Sequence, residues 1–305
     1  MTLCIGLVGY GNRGRLVLRD LLGLGVQVHV ATPSAEARAA ALITGASRIV
    51  PNAKDLGADV DGFVITSPSP THAAVIDSLL STGRPIFVET PLTTDVASAR
   101  RLVAEAPERI FVMDEWRYHP GIEALATMAR AGEFGDILGI RSYRLGWDKP
   151  HAGIDVAWHL MPHDLSIVLE LLGRIPMPQA AWVPVRSRAS TDILAILTDR
   201  DGPRVTIEIS NSQPANRRSV AVFGSLRTAQ ISDSCDNQLL IVDDPRDGTI
   251  KPYARPIPGD MPLLAELRAF VKHLQGGPPL RSSAAEGLHV VERIVALRTL
   301  AGLTD

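Results

Sequence analysis

The 305-residue sequence holds two cysteines, Cys4 and Cys235. That is too few for a disulfide framework and fits a reducing cytosol. No apolar run approaches ~20 residues, so neither a membrane-spanning helix nor a membrane partner is expected. Opposite charges almost cancel, leaving a net −2, which removes the basic field that nucleic acid or an anionic membrane would attract. Met1-Thr2 runs straight into the first predicted strand and leaves no room for a signal peptide, so a cytoplasmic protein is expected. Internal repeats and low-complexity tracts are absent too. What remains is a soluble globular chain, 46% hydrophobic and 21% charged, long enough for two domains.

The most informative stretch lies at the start. Residues 3–8 are a short apolar run, Gly9-Tyr10-Gly11-Asn12-Arg13-Gly14 follows at once, and residues 15–22 carry apolar side chains at helical spacing. Strand, glycine turn and helix form the context in which G-x-G-x-x-G means dinucleotide binding. Gly9 permits the tight turn, Gly11 lets the backbone approach a pyrophosphate, and Gly14 allows helix to pack closely on strand. Asn12 and Arg13, at the helix start, join them as candidate cofactor-binding residues, since the free N–H groups there favour phosphate.

A carboxylate is missing where an NAD-preferring site would place one, ~20 residues after the glycines at the end of the second strand. Residues 26–31 read as that strand, and Thr32-Pro33-Ser34 follows it, with no acid until Glu36. The hydroxyls of Thr32 and Ser34 suit a 2′-phosphate, which Arg13 or Arg38 would neutralise. The same residues also suit a cap on the helix that begins near residue 35. The pattern favours NADP, with NAD as the alternative.

Further strands are predicted at 48–50, 61–66, 85–88 and 110–113, alternating with helices at 35–42, 73–81 and 94–105. This alternation means a parallel sheet covered on both faces. Ser67-Pro68 and His72 turn the chain at a strand's carboxyl end, where such sheets bind ligands, and Pro68 is expected along the nicotinamide ribose. Beyond residue 118 the pattern changes. Helices are expected at 122–130 and 158–172, with strand character at 137–145, 180–185, 191–198, 204–210 and 219–223 in a mostly antiparallel sheet. Two amphipathic helices follow, at 263–274 and 283–300. The expected fold is therefore α/β, with a Rossmann dinucleotide-binding domain at residues 1–118. A substrate-binding and oligomerisation α/β domain, built on a large open sheet, is expected at residues 119–305. An open sheet face seeks a partner, so a homodimer or homotetramer through that sheet is expected.

Several further stretches carry a resemblance that runs nearly end to end. They are the glycine turn, Ile65-Thr66-Ser67-Pro68 with His72, Arg84-Pro85-Ile86-Phe87-Val88-Glu89-Thr90-Pro91-Leu92, and Trp116-Arg117-Tyr118-His119-Pro120. Gly132-Glu133-Phe134-Gly135-Asp136-Ile137 and Trp158-His159-Leu160-Met161-Pro162-His163-Asp164-Leu165 complete the set. On these motifs the chain resembles the Gfo/Idh/MocA family of NAD(P)-dependent sugar oxidoreductases. Within it, Pro-His-Asp-Leu after a tryptophan is similar to members acting on sugar nucleotides or amino sugars. The resemblance implies that Glu89 hydrogen-bonds the nicotinamide ribose and that residues 158–165 carry the catalytic groups. It also marks two departures. The family's lysine beside the nicotinamide is Thr90 here, and its aspartate four residues before the histidine is His159.

The remaining chemistry centres on His163. Oxidising a secondary alcohol needs a base near working pH and a hydride acceptor held close to the carbon. His163, with an unperturbed pKa of ~6.5, suits the first task. His159 lies one helical turn away on the same face and is suited to relay a proton. Thr90 offers a hydrogen bond but no charge. Asp164 is placed to orient His163 or meet substrate, and Tyr118, Trp147, Asp148 and His151 are the other candidate substrate residues. Histidines at i and i+4 can chelate a metal, but no third ligand matches, so no metal is expected. The function inferred is hydride transfer between a nicotinamide and a carbonyl, hydroxyl or imine of a sugar, amino-sugar or sugar-nucleotide-like substrate. Two alternatives are a transient oxidation–elimination without net redox change, and a decayed nucleotide-binding sensor or partner module.

Overall fold

The computed structural model describes residues 2–57, 59–147, 154–184, 191–243 and 251–303. The chain folds as two compact units, Met1–Glu115 with Met261–Val291 and Trp116–Asp260 with Glu292–Asp305.

In the first unit the elements alternate as β1 (Cys4–Val8), α1 (Asn12–Gly23), β2 (Gln27–Ala31), α2 (Ala35–Thr44), β3 (Arg48–Val50), β4 (Gly62–Ile65), α3 (His72–Leu80), β5 (Ile86–Glu89), α4 (Val96–Glu105) and β6 (Ile110–Met113). The strands form a six-stranded sheet in the order β3-β2-β1-β4-β5-β6, parallel throughout. Every residue of β1, β4 and β6 is buried, as a sheet covered on both faces requires. The order reverses direction between β1 and β4, and that switch point is where such sheets open a crevice at their carboxyl ends.

The second unit follows with α5 (Pro120–Arg130), β7 (Ile137–Trp147), α6 (Val156–Leu172), β8 (Pro178–Trp182), β9 (Asp192–Leu197), β10 (Arg204–Ser210), β11 (Ser212–Gly224), β12 (Arg227–Ile231), β13 (Gln238–Asp243) and β14 (Tyr253–Pro256). These eight strands are ordered β14-β13-β12-β11-β7-β10-β9-β8. All pairs are antiparallel except β7 with β10. Alternation along β7 sends Ile140, Ser142 and Arg144 to the face covered by α6, where all three are buried. Arg141, Tyr143, Leu145 and Trp147 turn to the opposite face and are partly or wholly exposed.

The chain ends with α7 (Pro262–Leu274) and α8 (Ala284–Ala301). α7 packs in the first unit: Leu263, Leu267, Phe270 and Val271 join the core that holds Ile5, Leu7, Val64 and Phe87. The rings of Phe87 and Phe270 lie 5.0 Å apart between centroids. Burying a side chain such as Phe270 stabilises by about 1.5–3 kcal/mol, so this late helix is part of the first unit's core.

Candidate functional site

The nucleotide-type turn is built as the glycines demand. Gly9 has φ +98°, and a Cβ there would stand 2.7 Å from Ser67 N. Its own N–H donates to Ala31 O at 2.9 Å, tying the turn to β2. At Gly14 a Cβ would come within 2.3 Å of Gly9 O, so only glycine lets α1 lie this close to the turn. Gly11 is the opposite case: a Cβ there would meet nothing within 4 Å. Gly11 caps α1 without a side chain, and the N–H groups of the first turn at Asn12, Arg13 and Gly14 precede the first possible i to i−4 bond, Arg15 N to Gly11 O at 3.0 Å. An open approach, free N–H groups and the positive end of the helix dipole fit a pyrophosphate.

At the end of β2, Thr32 is buried and its N–H donates to Val50 O. Ser34 caps α2 by accepting from Ala37 N at 3.2 Å, so the capping role expected of it is realised. Arg38 reaches back over this loop, donating from Nη1 to Thr32 O at 3.1 Å and Pro33 O at 2.6 Å. Arg13 points elsewhere. Its Nε donates to Glu89 Oε2 at 3.1 Å and its Nη1 to Glu115 Oε2 at 2.9 Å. Burial works against its charge, but Glu89, Glu115 and Glu266 hold the guanidinium above its ordinary range. The two arginines expected to share one task are thus separated, and Arg38 is the one at the β2 loop.

The turn after β4 is braced from several sides. Thr66 Oγ1 donates to Gly9 O at 3.0 Å, and the hydroxyls of Ser67 and Thr71 lie 2.8 Å apart. Pro68 is exposed. His72, expected beside the cofactor, is fully buried instead. Its Nε2 lies 2.8 Å from Ser67 O and its Nδ1 2.9 Å from Pro91 O, so it braces the turn after β4 against the turn after β5. Burial holds its pKa below the ordinary 6.5, against the pull of the Pro91, Ser67 and Leu92 backbone. Thr90 follows Glu89 at the end of β5, is buried, and precedes a cis peptide to Pro91.

Behind these turns sits Glu266 of α7, wholly buried. Its Oε1 accepts from the Asp114 N–H, and its Oε2 has no hydrogen-bond partner. Burial first, and Glu89 second, push its carboxyl well above the usual range. Burial likewise raises the Glu89 carboxyl, with Arg13 pulling the other way. Glu266 and Glu115 were not among the sequence candidates. The signal for Glu266 was present: a charge between Leu263, Leu267 and Phe270, on the apolar face of a predicted helix.

In the second unit, α6 is capped by Asp155, whose Oδ1 accepts from Ala157 N and Trp158 N. Arg298 secures that carboxylate from its other oxygen at 2.8 Å. The helix is buried along most of its length, while His159, Leu160 and His163 make a partly exposed stripe. The two histidines share it one turn apart. Asp164 does not: it is fully buried. It accepts from Ser142 Oγ at 2.5 Å and from Arg144 Nε at 2.8 Å. Adjacent helical residues diverge by about 100°, so Asp164 binds α6 to β7 and neither orients His163 nor faces substrate. Arg144 also lies over the Trp116 ring, 4.4 Å from its centroid, and that ring stacks on His119 at 5.1 Å.

Tyr118 is buried, whereas Trp147 ends β7 with 75% of its surface exposed. Asp148 and His151 lie outside the described residues. Among the described residues no three His, Cys, Asp or Glu side chains form a metal-ligating group, and no helix is long and apolar enough to cross a membrane.

Residues 3–113 match the model of the Gfo/Idh/MocA oxidoreductase family, described as an NAD-binding Rossmann fold. The chain is 27% identical over 304 residues to UDP-N-acetylglucosamine 3-dehydrogenase of Acidithiobacillus ferrooxidans, covering 96% of this chain and 95% of that one. A solved structure of that enzyme superposes with a TM-score of 0.86 at 25% identity, over 99% of this chain and 98% of the other. Inositol 2-dehydrogenase of Gluconacetobacter diazotrophicus is 29% identical over 255 residues, 76% of this chain and 75% of that one. Residues 3–113 thus carry the NAD-binding Rossmann fold of the Gfo/Idh/MocA oxidoreductase family, and the likeness to these dehydrogenases runs along nearly the whole chain.

Proposed function

We propose that this protein moves hydride between NADP and a carbonyl, hydroxyl or imine carbon of a sugar, amino-sugar or sugar-nucleotide-like substrate, with His163 as its acid–base group. The observation that carries the reading is the open cradle at Gly11, where backbone and helix end fit a dinucleotide while Gly9 and Gly14 admit no side chain. The dehydrogenase likenesses support the substrate class, since those relatives are named for a nucleotide-linked amino sugar and for inositol.

The bound nicotinamide would supply the hydride donor or acceptor, and the chain's own residues would do the rest. Gly11, Asn12 and the first turn of α1 would hold the pyrophosphate. Thr32, Ser34 and Arg38 would take the adenosine ribose with its 2′-phosphate, Arg38 adding a fork of donors suited to phosphate. Ser67, Pro68 and Glu89, at the carboxyl ends of β4 and β5, would serve the nicotinamide half. Without a lysine, Thr90 would offer one hydrogen bond, and the proton would be left to the imidazole of His163. His159, sharing its stripe, would pass that proton onward.

The oligomer is part of the same proposal. We assign the open face of the eight-stranded sheet to a second copy of this chain, because Trp147 and Trp182 stand 75% and 62% exposed at one end of that sheet. Chromatography with light scattering should give twice or four times the chain mass.

The experiment is a fluorescence titration of cofactor-stripped protein with NADPH and NADH, followed by a panel of keto sugars and amino sugars. Selective NADPH binding and turnover abolished by His163→Ala are expected. Selective NADH binding would overturn the 2′-phosphate assignment. Binding of neither nucleotide would overturn the enzyme and favour a decayed module.

A further inference from the structure

We infer that Glu266 is a positioning residue of the coenzyme site: acting through Arg13 and Glu89, its carboxyl sets how strongly the protein prefers the oxidised over the reduced coenzyme. This role rests on the proposed seating of nicotinamide at the carboxyl ends of β4 and β5.

Packing within the first unit brings the group there. Leu263, Leu267 and Phe270 hold α7 against the sheet, with Phe270 meeting Phe87 of β5. Glu266 lies one turn from both Leu263 and Phe270 on that helix face and is wholly buried. In the sheet, Glu89 of β5 pairs with Met113 of β6, so Glu89, Asp114 and Glu115 gather at one strand end. Arg13, from the first turn of α1, joins Glu89 to Glu115. The side chains of Arg13, Glu89 and Glu115 are partly exposed, whereas Glu266 stands behind them without access to solvent.

The fold asks little of that carboxyl. Its Oε1 accepts from the Asp114 N–H, a task that any neutral acceptor performs. Its Oε2 has no hydrogen-bond partner among the described residues, and stranding a buried polar atom costs free energy. The charges that act on the group are Glu89 of β5, Arg13 of α1, and Glu115 and Asp114 after β6. One guanidinium thus faces three other carboxyls. Burial, and then Glu89, make Glu266 keep its proton above the ordinary 4.5.

The consequence falls on the charge of the nicotinamide ring. The oxidised ring is a cation and the reduced ring is neutral, while ribose, pyrophosphate and 2′-phosphate are common to both forms. With Glu266 protonated, Arg13 offsets part of the charge on Glu89 and Glu115. Ionising Glu266 adds a buried negative charge behind the same strand ends, where water screens it little. Across about 10 Å at an effective dielectric of about 20, one unit charge is worth roughly a tenfold change in an equilibrium constant. The oxidised form gains from that charge and the reduced form does not. By linkage, binding of the oxidised form draws the proton off Glu266.

The test is calorimetric titration of NADP+ and of NADPH into the full-length, cofactor-stripped protein at a series of pH values from about 7 upwards, where His72 is neutral. The readout is the ratio of the NADP+ to the NADPH dissociation constant, in which groups common to both forms cancel. In wild type that ratio should fall about threefold or more as pH rises. Glu266→Gln keeps an acceptor for the Asp114 N–H and should hold the ratio constant at the value wild type shows at the lowest pH. Glu115→Gln removes a charge from the partly exposed edge. It should raise the ratio about twofold at every pH and leave the slope in place. Melting temperatures establish that both variants fold. A wild-type ratio that does not change with pH, or a Glu266→Gln ratio that changes as wild type does, overturns the inference and leaves the coenzyme site standing. Binding of neither form overturns the coenzyme site itself, and the role of Glu266 with it.

Discussion

Arg13 and Glu89 meet at 3.1 Å, guanidinium Nε to carboxylate Oε2. This contact fastens the start of α1 to the end of β5 at the mouth of the Rossmann crevice. Because Glu115 takes the same guanidinium at 2.9 Å, Arg13 is a clamp between strand ends. Arg13→Ala should therefore weaken NADH and NADPH alike, by about tenfold each, since a positioning contact worth roughly 1–2 kcal/mol is lost whichever coenzyme enters. Fluorescence titration with both coenzymes checks this, and a loss confined to NADPH would contradict it.

Arg38 carries the opposite expectation. Held by Thr32 O and Pro33 O at the end of β2, it is placed to add a charge-assisted bond to a 2′-phosphate and nothing to a 2′-hydroxyl. Arg38→Ala should raise the NADPH dissociation constant by about tenfold and leave NADH within about twofold. Equal losses for both coenzymes would show that Arg38 merely supports the loop.

How much of this was legible in the sequence depends on the range over which each signal acts. The glycine turn was readable because tight turn, close backbone and helix start are local demands, and Gly9, Gly11 and Gly14 each meet one. The alternation of strand and helix likewise foretold a parallel sheet. The predicted helix at 263–274 exists as α7, but its apolar stripe did not say which sheet it would cover; only the packing of Leu267 and Phe270 with Phe87 does. Arg13 and Arg38 looked equivalent because a sequence shows charge and spacing but not the carboxylates that long-range pairing brings in, here 76 residues apart. Asp164 fell next to His163 in the text but not in space, since one step along a helix turns the side chain away.

That buried aspartate should be a stability residue. Asp164 satisfies Arg144 and Ser142 beneath α6, so Asp164→Ala would strand a buried guanidinium and cost about 3–5 kcal/mol. Replacing both partners by apolar residues, Arg144→Met with Asp164→Leu, should recover much of that loss. Urea unfolding of the single and double variants measures the coupling. Additive losses would show that the pair does not act as a unit.

His72 joins two turns through one buried ring, and its depressed pKa gives a sign to test. The unfolded ring takes up a proton near its ordinary 6.5, while burial makes the folded ring resist it. Protonation therefore favours unfolding, and stability from this group is lost as pH falls below about 6.5. His72→Asn should remove that acid-side slope. It should also cost about 1–3 kcal/mol at neutral pH, because the shorter side chain does not reproduce the one N–H that the neutral ring donates to a backbone carbonyl between the two turns. Thermal melts across the acid range decide this, and an unchanged slope in the variant would refute it.

Glu266 predicts the reverse dependence. Its carboxyl is buried against Glu89, Glu115 and Asp114, with Arg13 as the compensating cation, and its pKa lies well above the ordinary 4.5. The folded chain thus keeps a proton that the unfolded chain releases. Folding takes up protons above that ordinary value, so stability from this group falls as pH climbs from about 4.5 towards the folded pKa. Glu266→Gln keeps an oxygen to accept from the Asp114 N–H but cannot ionise. The variant should match wild type in mild acid and become progressively more stable than wild type as pH rises above the ordinary 4.5. A melting-temperature difference that stays constant over that range would show that Glu266 titrates alike in both states. A difference that grows with pH would establish a protonated carboxyl behind the β5 and β6 strand ends, where Arg13 is then left to balance Glu89 and Glu115 alone.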